Sequence, residues 1–256
     1  MESAEVLTVI GASGGLGAST LSAALVRRWT ARSEVCVLID GDLTGGGAEV
    51  TTAIEHREGV RWVDLRDVVG SVDGRRLVAA LPGIEGGRVL SAGGRGPMLR
   101  SEVGVAACTD VFDSLRGAGM PLVVDLPRWS PLRPRVLAAT THLLLLSGLS
   151  TRALADLDAL VRELEDGWAA NVAPAYRVGV VTRGRRIGSE VIDAIEGHLG
   201  VPHLAHVADD RRVAAAAERG EWPGSLRDGL RATAEAILDR VGVRHTPGVR
   251  AGEVAS

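Results

Sequence analysis

Three short segments carry residues whose types and spacing can do chemistry. The first, GASGGLGAST (Gly11–Thr20), lies between a strand-like run, LTVI, and a helical pattern, TLSAALVRRW. Its glycines let the main chain curl until successive N–H groups face a common point, and a helix starting there adds about half a positive charge; both favour a phosphate. The second, VCVLIDGDLTGGG, ends an apolar run in Asp40-Gly41-Asp42. Two carboxylates with one spacer at a strand's C-terminal end can hold waters around Mg²⁺ and orient an attacking water. The third, PLVVDLPR, ends four residues of buried-strand character in Asp125-Leu126-Pro127. In a nucleotide site an acid there polarises the metal shell while the loop after it senses a terminal phosphate. Each segment alone also reads blandly, as a strand-to-helix turn, an acidic strand-end turn and a common strand ending. Their order along one chain is what points to a phosphate site.

Two kinds of phosphate fit the loop. The spacing of Gly11, Gly15 and Gly17 is that of a short-chain dehydrogenase, and Asp40 stands where a ribose-binding acid belongs. Hydride transfer of that type needs a Tyr-x-x-x-Lys pair, in which lysine lowers the tyrosine pKa. Here the one tyrosine, Tyr176, is followed by Arg-Val-Gly-Val, and the chain contains no lysine, so all 29 of its Lys+Arg residues are arginine. An NAD(P)-dependent oxidoreductase is therefore the remote alternative. The second half of the loop, GGLGAST, reads as the GGxGK[ST] of a P-loop nucleotidase without its lysine.

These segments need a scaffold that brings strand ends together. Short aliphatic runs alternate with longer stretches of helical period, which predicts an α/β fold, a mostly parallel twisted sheet with helices on both faces. Strands are expected at Val6–Ile10, Val35–Ile39, Arg88–Ser91, Leu122–Val124, His142–Leu146, Arg177–Val181 and His203–Val207. Helices are expected at Ser19–Thr30, Arg75–Leu81, Glu102–Arg116, Thr151–Trp168, Ser189–Leu199, Arg211–Glu218 and Ser225–Val241. The last has an apolar stripe beside mixed charges, the pattern of a helix docked on its own core. The glycine-rich pieces at Gly45–Gly47 and Gly93–Gly96 read as loops, residues 1–242 as one domain, and 243–256 as a disordered tail. With 256 residues and 46% hydrophobic content the chain can bury a sizeable core. A net charge of −3 gives no global attraction to nucleic acid or anionic membrane. No run is long and apolar enough for a membrane span and no signal peptide is legible, so a soluble cytoplasmic protein is expected. Cys36 and Cys108 read as buried hydrophobes.

GGLGAST, LIDGDLTGGG and VVDLP, at these relative positions, resemble the MinD/ParA group of deviant Walker-A ATPases, and within it the CpaE/TadZ-like branch of septum-site and Tad pilus or secretion proteins. The likeness runs from Val6 to about Val241; the triple glycine and GVRWVDL sharpen it, and VPHLAHVADDRRVAAAAERGE matches the stretch where a base is contacted. The resemblance implies a nucleotide-binding loop at Ser13, Gly14, Gly15, Leu16, Gly17, Ala18, Ser19 and Thr20, with Mg²⁺ held by Ser19, Asp40 and Asp125. It implies Asp42 as the catalytic residue of an active enzyme, and ATP with Mg as cofactor. It further implies face-to-face homodimers and partners from division, pilus or secretion machinery that recruit the protein to a pole or septum. A receiver-like domain common in this branch is expected to be absent or to lie outside this chain.

The resemblance also locates two departures. Active members carry one lysine that reaches across the dimer and one that reaches the β- and γ-phosphates; Ser13 and Ala18 occupy those positions. If each lysine supplied a charge-assisted bond of about 1.5–3 kcal/mol, the loss is about 3–6 kcal/mol, or roughly 10²–10⁴ in affinity. The lost cations also stabilised transition-state charge, so hydrolysis suffers more than binding. An empty structural turn, weak nucleotide binding without turnover, and true ATPase activity all stay open on the sequence. Arg128 is the nearest candidate cation in sequence, and Trp129 beside it reads either as a partner anchor or as packing on the sheet edge. Arg183, Arg185, Arg186, Arg211 and Arg212 read as solvated or partner-facing rather than as a nucleic-acid surface, and His203-x-x-His206 as ordinary strand and turn histidines rather than a metal site.

Overall fold

A computed structural model describes residues 4–33, 35–43, 47–93, 103–170 and 176–243. Residues 45–46, 94–96, Glu102 and everything beyond Val243 lie outside them, and with them most of both glycine-rich pieces and the expected tail. Among the described residues eight strands form one sheet: β1 Val6–Gly11, β2 Cys36–Asp40, β3 Gly83–Ile84, β4 Gly87–Leu90, β5 Leu122–Asp125, β6 His142–Gly148, β7 Arg177–Gly184 and β8 His203–Ala208. The helices are α1 Ala18–Trp29, α2 Gly47–Thr52, α3 Gly74–Ala80, α4 Val105–Gly117, α5 Arg133–Ala139, α6 Thr151–Ala170, α7 Ser189–Leu199, α8 Arg211–Glu218 and α9 Gly229–Arg240, with a 3₁₀ turn at Trp62–Leu65. No helix among the described residues is long and apolar enough to cross a membrane.

The strand order is β3-β4-β2-β5-β1-β6-β7-β8, all parallel except the short β3–β4 pairing. This order decides between the two phosphate readings. A dinucleotide fold of the doubly wound type places its first two strands side by side, whereas here β5 runs between β2 and β1. That arrangement brings Asp40 and Asp125, the last residues of β2 and β5, into register as neighbours, and pairs Val9 of β1 with Asp125.

Alternate residues of the central strands enter two apolar layers. Val6, Ile10, Val37, Ile39, Val124 and Leu145 pack under Trp62, Phe112, Val136 and Leu157 on one face. Leu7, Val9, Leu38, Val123, Leu144 and Val181 pack under Leu21, Leu25, Trp29, Ile237 and Leu238 on the other. The near-continuous apolar strands follow from burial on both faces, and α9 docks as its stripe predicts, with Leu230, Ala234, Ile237 and Leu238 buried.

Four elements are additional to the expected set: α2, β3, α5 and the 3₁₀ turn. All are of seven residues or fewer, and such short pieces give a helical or strand period little room to register. Two expected helix starts move inward. α9 begins at Gly229 because the Asp228 side chain accepts the Arg231 N–H at 2.9 Å; α4 begins at Val105, after an extended Gly104.

Candidate functional site

The loop between β1 and α1 is fixed from both ends. The Ala12 N–H donates to the Leu146 carbonyl of β6 at 2.9 Å, and Gly17, with φ 87°, turns the chain into α1. That left-handed conformation suits glycine, and a β-carbon at Gly17 would lie 2.8 Å from Arg183 Nη1. β-Carbons built at Gly14 and Gly15 would meet nothing within 4 Å, so the cradle opens outward. Its cavity, about 820 Å³, is lined by residues 11–20 together with Asp42, Thr51, Asp125, Arg128, Trp129 and Arg183. A second cavity of about 440 Å³ adjoins it, walled by Leu21, Val50, Leu146, Val207, Val213 and Leu230 together with Asp210 and Glu218. Leu16, Gly17, Thr20, Thr51 and Arg183 border both.

The carboxylates divide between wall and scaffold. Asp125 lines the cavity at the loop and accepts a hydrogen bond from the Ser19 side chain. Burial, offset in part by that hydrogen bond, pushes its pKa up to about 6. Asp40 is buried, its two oxygens accepting the N–H groups of Asp42 at 2.9 Å and Ala48 at 2.8 Å. Burial, with the nearby Asp125 charge, pushes its pKa up to about 7. It does not line the cavity, so the acid at the wall beside Asp125 is Asp42, not Asp40. Gly41 makes this junction close: its N–H donates to the Asp125 carbonyl at 2.8 Å, and a β-carbon would lie 2.9 Å from that oxygen. Ser130 and Trp62 complete it, donating to the Gly41 and Asp40 carbonyls at 2.9 Å each.

The expected loop residues Ser13, Gly14, Gly15, Leu16, Gly17, Ala18, Ser19 and Thr20 all line the cavity. The cationic groups are rearranged relative to their sequence neighbourhood. Arg128 is drawn onto Glu163 of α6 at 2.9 Å, where Arg133 joins it, so its charge is held at the rim and not at the phosphate loop. Its guanidinium also stacks 5.1 Å from the Trp129 ring, which is 76% exposed and therefore not packed on the sheet edge. Arg185 and Arg186 are exposed, whereas Arg183 turns inward, donating from Nη1 to the Leu16 carbonyl at 2.9 Å and from Nε to Asp209 at 3.1 Å. Sequence order hides this placement; the β1-β6-β7 adjacency supplies it, since the end of β7 is two strands from the loop.

His203 and His206 have a structural role. A register shift leaves Leu204 as an extra residue in β8, and both rings reach Thr182, at 2.9 and 3.0 Å. Among the described residues no cluster of three or more His, Cys, Asp or Glu has a metal-binding arrangement. The Mg²⁺ expected here would instead be held through Ser19 and Asp125, oxygen donors beside a phosphate cradle, as hard-cation chemistry requires.

This sheet order and loop placement are those of the MinD/ParA P-loop ATPase fold. The ParA family ATPase from Chlorobium tepidum superposes with a TM-score of 0.75 at 13% identity, covering 93% of this chain and 97% of that one. The septum site-determining protein MinD from Pyrococcus horikoshii, solved with Mg-ADP, gives 0.66 at 16% identity over 94% and 96%. No protein-family model matches the chain. In sequence it is 30% identical over 239 residues to an uncharacterized protein of Mycobacterium tuberculosis, a match covering 91% of this chain and 63% of that protein's length.

Proposed function

We propose that this protein is a MinD/CpaE-like positioning scaffold, serving septum placement or a Tad-type pilus or secretion assembly, that holds nucleotide weakly and does not turn it over usefully. The observation that carries the reading is the contrast within one loop. The cradle, Ser19 and Asp125 suit a phosphate and a metal ion, yet Ser13 and Ala18 line the cavity where the lysines of active relatives belong.

The geometry fits Mg-nucleotide in shape. Residues 14–20 line the open cradle, Ser19 and Asp125 would hold the ion, and the adjoining, mostly apolar cavity would take a base. When bound, Mg²⁺ neutralises phosphate charge and polarises the phosphoryl group. Asp42, at the cavity wall, would orient water in an active enzyme. With no lysine in the chain, the charge that develops in the transition state goes largely uncompensated, which lowers rate more than occupancy. The function left to the chain is binding, and the exposed Trp129 at the cavity rim suits a protein contact.

Calorimetric titration with ATP and Mg²⁺, run beside a phosphate-release assay, tests this. Millimolar or absent binding without turnover is expected. Micromolar binding with turnover that Asp42→Ala abolishes would favour the alternative, an active MinD/ParA-type ATPase.

A further inference from the structure

We propose that Arg183 is the cation that contacts nucleotide phosphates at this loop, reaching from the end of β7 to do so. The inference rests on reading the loop as a nucleotide site. It begins from position: Arg183 borders both cavities, at the junction where a chain of phosphates would pass from the apolar chamber to the glycine cradle. Its guanidinium is held against the loop by the Leu16 carbonyl at 2.9 Å and lies where Gly17 has no side chain to exclude it. A β-carbon at position 17 would lie 2.8 Å from that nitrogen, so Gly17 leaves the guanidinium room to lie against the loop.

Donor arithmetic leaves room for a ligand. A guanidinium has five N–H groups in a planar fork that matches phosphate oxygens. The hydrogen bonds of Arg183 among the described residues use two of them, Nε on Asp209 and one on Nη1. The Asp209 pair is open to solvent, with side chains 40% and 48% exposed, and such a pair contributes little, so exchanging it for a phosphate costs little. Among the described residues the other arginines near the site are paired elsewhere: Arg128 and Arg133 share Glu163, and Arg212 is doubly bonded to Asp210. Arg183 therefore supplies, from another element, part of the charge that Ser13 and Ala18 cannot.

The test is calorimetric titration of ATP into the whole chain and its variants at fixed ionic strength. Arg183→Ala is expected to weaken ATP about 10- to 100-fold, the worth of one charge-assisted contact, and to flatten the salt dependence of binding. Arg183→Lys should fall between, and the Arg185→Ala/Arg186→Ala pair should match wild type. Circular dichroism and thermal melts identify a variant that fails to fold, in which case Arg183→Lys and the salt slope decide. Binding by Arg183→Ala equal to wild type, or no ATP binding by wild type at several millimolar, overturns the assignment. The latter leaves the scaffold reading standing; turnover in the phosphate-release assay overturns that reading without touching the arginine.

Discussion

Asp40 and Asp125 share one buried corner, and their pKa values of about 7 and 6 carry a stability consequence. Both stand above the ordinary value of 3.8, so the folded chain keeps protons that the unfolded chain releases. Stability of the nucleotide-free protein therefore falls as pH rises from about 4 to about 7 and levels off above it. Asp125→Asn removes one of the two charges and relieves the other. It should raise stability at pH 8 by on the order of 2 kcal/mol, a few degrees in Tm, with little change at acid pH, measured by thermal melts across that range. The same corner shows what sequence can and cannot convey. Asp125 and Ser19 were legible from their places after a strand and at a helix start. That Asp40 faces the Ala48 N–H and not the cavity was not legible, because α2, the element that turns it, is too short to announce itself. Arg183 was visible only as one of several basic loop residues; the adjacency of β6 and β7 that gives it meaning belongs to the sheet.

At the level of elements, the wall opposite α1 depends on short pieces that long periodic patterns do not reveal. The 3₁₀ turn buries Trp62 and points its indole N–H at the last residue of β2, while Arg61, one residue before, enters a buried ion pair with Glu49 of α2. Glu49 also accepts from Ser91 at 2.8 Å, and Arg61 donates to the Gly59 and Arg57 carbonyls at 2.6 and 2.7 Å. Removing one partner of such a pair strands the other charge. Glu49→Ala should therefore cost roughly 3–5 kcal/mol in denaturant unfolding, and Trp62→Ala a similar roughly 3–5 kcal/mol through its cavity. Both should also loosen the Asp40-Gly41-Asp42 turn, since α2 and the 3₁₀ turn hold it from two sides. The long strands and α1, α6, α7 and α9, by contrast, were readable, because burial on two sheet faces or on one helical stripe writes a period into the sequence.

For the whole molecule the question is whether nucleotide can change how copies of the chain associate. ATP-driven face-to-face pairing, as the resemblance describes it, runs through a lysine crossing from one loop to the nucleotide of the other copy. Ser13, which holds that place, has a side chain too short and uncharged to make the contact. Arg128, a cation at the rim, is held down on Glu163, and freeing it would break its pairing and disturb a carboxylate shared with Arg133. Arg183 is tethered to its own loop through Leu16, so its charge is directed at the loop of its own chain. Among the described residues the rim also offers Trp129, an exposed aromatic surface whose burial in a contact would not depend on phosphate charge. Any self-association should therefore be set by apolar contact and be indifferent to ATP. Sedimentation velocity with and without saturating ATP and Mg²⁺ should give the same distribution of species. Trp129→Ala should shift any dimer toward monomer by about tenfold or more, the effect expected of a buried aromatic anchor. A dimer that appears only with ATP, and that survives Trp129→Ala, would show that the loop has kept a trans contact by another residue.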